Sequence, residues 1–120
     1  MKVINIIEKF DKFSGFWKPK VIAEMNDYQF KIVKIKGDFT PHKHIETDEV
    51  FIVIEGIMYI EFSNKTVKIN SGEMIVVPKG IQHKPFSKDE CKIMLIEPIG
   101  VLNTGNSNDK ELTAPNNKWV

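Results

Sequence analysis

From residue 21 to residue 98 the hydrophobic pattern runs with a period of two, and turn signals interrupt it every few residues. Side chains alternate between the two faces of a strand, so this is the pattern a half-buried β-strand imposes on a sequence. Val21–Met25 and Tyr28–Lys36 flank Asn26-Asp27 and read as a hairpin. In the second of these strands Phe30, Ile32 and Lys34 alternate with Lys31, Val33 and Ile35. Val50–Ile54 and Ile57–Phe62 flank a second tight turn at Glu55-Gly56. Thr66–Asn70 follows Ser63-Asn64-Lys65, and Met74–Val77 follows Ser71-Gly72. Pro78-Lys79-Gly80 turns again, and Lys92–Glu97 is a last strand before Pro98. Short strands with regular turns predict an all-β sandwich or barrel. No β–α–β alternation is present, so a Gly-rich phosphate loop has no place to sit.

The flanks read differently. Val3, Ile6, Ile7, Phe10 and Phe13 recur near helical spacing, with charged residues between them, which predicts a short amphipathic helix over 3–13. Ser14-Gly15 ends it and Pro19 forbids its continuation. Phe16 and Trp17 are expected to pack on the core edge. Residues 99–120 form a C-terminal tail rich in Asn, Gly, Thr and Ser, with Leu102, Leu112 and Trp119 as its large apolar anchors. Trp119 predicts partial docking of this tail on the domain. The expected organisation is a helix and lead-in over 1–20, a β domain over 21–98 and a tail over 99–120.

A chain of 120 residues supports one self-sufficient core. Its net charge of +1 and the absence of a basic stripe give no support for nucleic-acid or membrane partners. No n-region, h-region and cleavage site follow one another at the start, and no apolar run approaches a spanning length, so the expected location is cytoplasmic. The lone Cys91 excludes an intramolecular disulfide and alternates onto the face of Ile93 and Leu95, as a small buried hydrophobe would.

The chemistry concentrates in "PHKHIETDEV" at 41–50. His42 and His44 sit at i and i+2, so in extended chain both imidazoles face one side and Lys43 faces the other. Glu46, Asp48 and Glu49 follow as carboxylates, and His83 comes after the Pro78-Lys79-Gly80 turn. Every histidine of the chain therefore falls at a strand end. Three imidazoles and a carboxylate suit a first-row transition metal: Fe, Mn, Ni or Zn.

Gly37, His42-x-His44, Glu49 and Gly56 together resemble the first cupin motif, and Gly72, Pro78-x-Gly80 and His83 resemble the second. Four residues separate His44 from Glu49, six separate Glu49 from Gly56, and two separate Gly80 from His83, all in agreement with the family. The spacer from Gly37 to His42 is one residue shorter than is usual, and Ser87 replaces the asparagine that commonly closes the second motif. "NTG" at 103–105 and "LTA" at 112–114 resemble small one-domain cupins of the mannose-6-phosphate isomerase-like group, a label of barrel similarity rather than of activity. The resemblance implies a jelly-roll β-barrel, often a homodimer, with His42, His44, Glu49 and His83 as metal ligands facing its interior.

Four protein ligands on a six-coordinate ion leave two positions open, and one carboxylate on a divalent ion leaves a centre of charge about +1 that favours an anionic small molecule. Three functions compete: a metal-dependent dioxygenase, isomerase, epimerase or lyase; a non-catalytic module that binds a small molecule or a metal; and a barrel whose dimer surface is its main role, the ion being structural. Phe51 and Gln82 are expected to line the pocket. Tyr28, Tyr59, Phe62, Met58, Met74 and Met94 are expected in the core, and Glu46, Asp48 and Glu61 at the surface.

Overall fold

The computed structural model describes residues 1–120. The alternation resolves into seven strands: β1 (Lys20–Met25), β2 (Tyr28–Asp38), β3 (Glu49–Glu55), β4 (Ile57–Glu61), β5 (Thr66–Asn70), β6 (Met74–Val77) and β7 (Lys84–Pro98). They pair antiparallel in the order β1-β2-β7-β3-β6, while β4 pairs with both β5 and β7. β7 closes the structure. Its second half lies between β2 and β3, and its first residues, Lys84–Phe86, pair with β4. One strand thus belongs to both walls of a small jelly-roll barrel.

β7 starts earlier than the alternation indicates. The polar run Ser87–Glu90 hides its first half, because the strand bends there and Lys88, Asp89 and Glu90 face solvent. Ser87 itself is buried, and its Oγ donates to Ile57 O at 3.0 Å. Gly56 turns the chain beside this bend with φ +98°, and a Cβ there would stand 3.1 Å from Glu90 O and Cys91 Cα. Both the dihedral and the close approach call for glycine.

The registers place interior side chains in rows across the wall. Val33, Ile93 and Val53 form one row, and Lys31, Leu95 and Phe51 the next. With Met58, Ile60 and Ile69 from the β4–β5 hairpin the apolar members of these rows build the main core, and Lys31 is a buried charge beside them. On the outer face, Ile32 pairs with Met94, Met94 with Ile52, and Ile52 with Met74. A second, smaller core of Phe10, Ile22, Ile32 and Met94 seals that face beneath the N-terminal segment.

The helix is shorter than its pattern. Only Ile6–Phe10 (α1) is helical, capped by Asn5, whose side chain accepts from Glu8 N at 3.0 Å. The cap starts the helix after Val3, and Asp11 ends it before Phe13. One and a half turns cannot persist alone, and the burial of Phe10 holds them in place. Tyr28 and Met74 are exposed rather than in the core, and Tyr59 is half-buried, stacked on Phe86 at 5.1 Å between ring centres. Met58 and Met94 are buried as expected. Cys91 is buried too, and burial together with the Glu55 carboxylate pushes its thiol up to about 11.

The tail docks through its backbone. Val21 N donates to Lys118 O at 2.7 Å and Val120 N donates to Val21 O at 3.2 Å, a parallel extension of β1. Lys9 Nζ donates to Val120 O at 2.8 Å. The indole of Trp119 stays half in solvent, 51% exposed. No helix is long and apolar enough to cross a membrane.

Candidate metal centre

The segment between β2 and β3 carries no strand, yet one antiparallel bridge fixes it. His42 N donates to His83 O at 2.9 Å and His83 N donates to His42 O at 2.8 Å. Residues 41 positions apart in sequence are thereby set side by side. Gly80 N donates to His44 O at 2.8 Å, and Lys79 N donates to Asp48 Oδ1 at 2.9 Å. Asp48 is an exposed rim charge that ties the two motif loops together. Glu46 is exposed and Glu49, first residue of β3, points inward.

The structure brings His42, His44, Glu49 and His83 together, all buried, with one donor atom from each within 4.8 Å of the others. His42 Nδ1 bonds to Thr40 O at 2.9 Å and His83 Nδ1 bonds to Ile81 O at 2.8 Å. A carbonyl only accepts, so each Nδ1 carries the hydrogen, and in the neutral ring Nε2 presents its lone pair. His42 Nε2 is buried with no hydrogen-bond partner. Nε2 of His44 lies 3.2 Å from Glu49 Oε2, and Nε2 of His83 lies 3.3 Å from Glu49 Oε1. The Nε2 lone pair of neutral His83 repels that carboxylate in a dry interior unless a proton or a cation lies between them. The donor set and the orphaned nitrogen therefore fit a divalent transition-metal ion.

Electrostatics favour the metal-ready forms. Burial pulls His42 down to about 4, and the bond to Thr40 O only partly opposes it. Burial works against ionisation of Glu49, but His44 and His83 outweigh it and hold the carboxyl well below the usual range.

Two further charged residues support the site. Continuing the β3–β7 register places Glu49 opposite Glu97, and Glu97 pairs with Gln29 of β2. Lys31 Nζ lies 2.8 Å from Glu97 Oε1, with the side chains 3% and 1% exposed, and also donates to Val101 O at 3.2 Å. Burial and the neighbouring Glu49 raise Glu97 well above the carboxylate range, against the pull of Lys31. The sequence did hold a signal for this pair: Lys31 shares parity with Val33 and Ile35, and Glu97 with Ile93 and Leu95.

Beside His42 and Glu49 lies a small chamber of about 30 Å³, lined by Trp17, Val33, Phe39, Phe51, Leu95 and Asn103. Trp17 stacks on Phe39 at 4.6 Å, so it lines the chamber as well as packing on the core edge. Phe51 lines it as expected. Gln82 does not: it is exposed, on a separate surface groove.

Residues 30–97 match the family of cupin domains. The chain is a cupin. It is similar to a cupin-2 domain protein of Shewanella frigidimarina, with 57% identity, a TM-score of 0.79, and cover of 80% of this chain and 94% of that one. It is also similar to protein NMB1881 of Neisseria meningitidis, with 35% identity, a TM-score of 0.75, and cover of 81% and 99%. Among curated relatives, the uncharacterized protein YdbB of Bacillus subtilis is 34% identical over 67 residues, 55% of this cupin and 59% of YdbB. This cupin thus spans under two-thirds of the curated relatives it matches, falling to 22% of a vicilin-like seed storage protein of Arabidopsis thaliana.

Proposed function

We propose that His42, His44, Glu49 and His83 hold one divalent transition-metal ion, and that this centre acts enzymatically on a small anionic metabolite. The observation that carries the reading is the convergence of four buried donors around the unpartnered Nε2 of His42. The ion would supply Lewis acidity, or a place for substrate and O₂ side by side. The protein supplies neutral imidazoles, a single compensating carboxylate and a water-poor wall of aromatic and aliphatic side chains. The chamber presents no lysine, and the chain contains no arginine. Fork-like recognition of a phosphate is therefore absent, which favours a small carboxylate or enolate with a compact apolar body.

A second reading, a non-catalytic module that binds a small molecule or a metal, is favoured by the scarcity of polar groups: Asn103 is the one polar chamber residue besides His42 and Glu49. Metal analysis of protein purified without added metal, followed by oxygen uptake and substrate turnover in the Fe(II) form, separates the two. About one equivalent of metal with turnover of a small carboxylate supports the enzyme. Metal without turnover of any tested acid supports the module. Empty protein that resists reconstitution overturns the metal-dependent enzyme and the metal-binding module alike.

We also propose a homodimer built on the outer face of the β1-β2-β7-β3-β6 wall. The apolar row Ile32–Met94–Ile52–Met74 passes from beneath α1 to β6, where Met74 and Val76 are 58% and 50% exposed. β6 pairs only with β3, leaving an open edge that a second copy can cover across a two-fold axis. Sedimentation at micromolar concentration should give twice the chain mass, and Val76→Lys should shift it to the monomer. A wild-type monomer under those conditions refutes it.

A further inference from the structure

The ligand segment Thr40–His44 is thinly held on its barrel side, where the His42–His83 bridge is its only strand-like pairing. Its outer side is held by the tail. Asn106 Oδ1 accepts from Lys43 N at 2.9 Å, and Asn106 N donates to Lys43 O at 3.2 Å. One tail residue thus satisfies both backbone groups of the residue between the two histidines. The hydroxyls of Ser107 and Thr40 lie 3.1 Å apart. Gly105, with φ +53°, presses on the same peptide: a Cβ there would stand 2.5 Å from Lys43 O and 3.0 Å from His42 Cδ2.

The tail is anchored independently of these contacts. Asn103 Nδ2 donates to Trp17 O at 3.2 Å and to Leu112 O at 2.9 Å, and its Oδ1 accepts from Ala114 N at 3.0 Å. Buried Thr104 bonds to Thr113 at 2.6 Å between hydroxyls. Asn103-Thr104-Gly105 therefore combines an anchor, a buried hydroxyl bridge and a point of close backbone approach.

We infer that residues 103–107 are a clamp that positions His42 and His44 for the ion, with Gly105 and Asn106 as its positioning residues. This rests on the metal-site reading of the four ligands. The two imidazoles leave the backbone on either side of the Lys43 carbonyl. Fixing that residue fixes the direction of both side chains before an ion arrives, and outer contacts of this kind govern metal affinity.

The test compares Zn(II) affinity, by competition with a chelator, and the Co(II) absorption spectrum in the full chain. Gly105→Ala and Asn106→Ala should each weaken Zn(II) binding by about tenfold and alter the Co(II) bands. Asn106→Asp keeps the acceptor for Lys43 N and should restore affinity to within about twofold of wild type on the same scale. Asn106 is exposed, so its variants stay folded even where Gly105→Ala does not. If the wild type binds Zn(II) and Asn106→Ala binds equally well, the clamp is refuted, even should its melting temperature fall. If the wild type binds no metal, the metal-site reading fails, and amide exchange at Lys43 in the metal-free protein decides the clamp. Exchange about tenfold faster in Asn106→Ala supports it; unchanged exchange overturns it.

Discussion

The two ends of the barrel interior are built on opposite principles. At one end Val33, Ile93 and Val53 form a row continued by Ile35 and Cys91, all buried and apolar. At the other, two residues along β2 reach Lys31, and four residues along β2, β7 and β3 reach Gln29, Glu97 and Glu49, equally buried but polar or charged. Burial of the first set stabilises by removing apolar area from water. Burial of the second costs free energy unless every group is paired. The difference teaches that the barrel is stabilised from its apolar end and spends part of that stability on holding carboxylates and imidazoles dry at the other.

That contrast can be broken most severely at the polar end. His83→Ala should reduce bound metal from about one equivalent to near none while the far-ultraviolet spectrum keeps its β signature, since four donors define the site. Full metal content in this variant would refute the ligand assignment. Lys31→Met should cost about 1–3 kcal/mol in denaturant unfolding, because it leaves Glu97 Oε1 buried without its partner, while the raised pKa of Glu97 lets that carboxyl take up a proton. The double variant Lys31→Met/Glu97→Leu should recover most of that loss. A double variant as unstable as the single would show that the pair stabilises this end outright.

At the apolar end, Ile93→Ala should cost about 3 kcal/mol through lost burial and an unfilled cavity. Its Zn(II) affinity should stay near wild type, because Ile93, though it lines the cavity beside His42 and Glu49, lies two register rows from Glu49 and Glu97. A parallel loss of metal affinity would show the two ends coupled.

The metal-free protein offers a milder comparison by pH. His42 sits at about 4 in the folded state against an ordinary value of 6.5. The unfolded chain therefore binds the extra proton between these values, so stability rises with pH across that window and is lost as pH falls from 6.5 towards 4. The full effect is on the order of 3 kcal/mol. His42→Phe should flatten this dependence, and an unchanged slope would place the titration elsewhere.

Much of the fold was legible because strand parity is local. The residues between Val21 and Val77 announce their strands by alternation. The first half of β7 was not legible, because a bent strand exposes Lys88, Asp89 and Glu90 on consecutive positions. The helix was overread because its periodicity extends beyond the cap at Asn5 and the stop at Asp11. Gln82 was misplaced because a loop residue has no parity to follow.

By itself the sequence determined the all-β class, the pairing of His42 with His44 on one side of an extended chain, and the family spacing that singles out Glu49 and His83. Those features depend on residue type and distance along the chain. Only the tertiary structure decided that the four donors share one buried point, that Glu97 and Lys31 stand behind Glu49, and that Gly105 and Asn106 press on Lys43. These depend on cross-strand register and on where a distant tail returns, which are set by long-range pairing and leave no local periodicity to read.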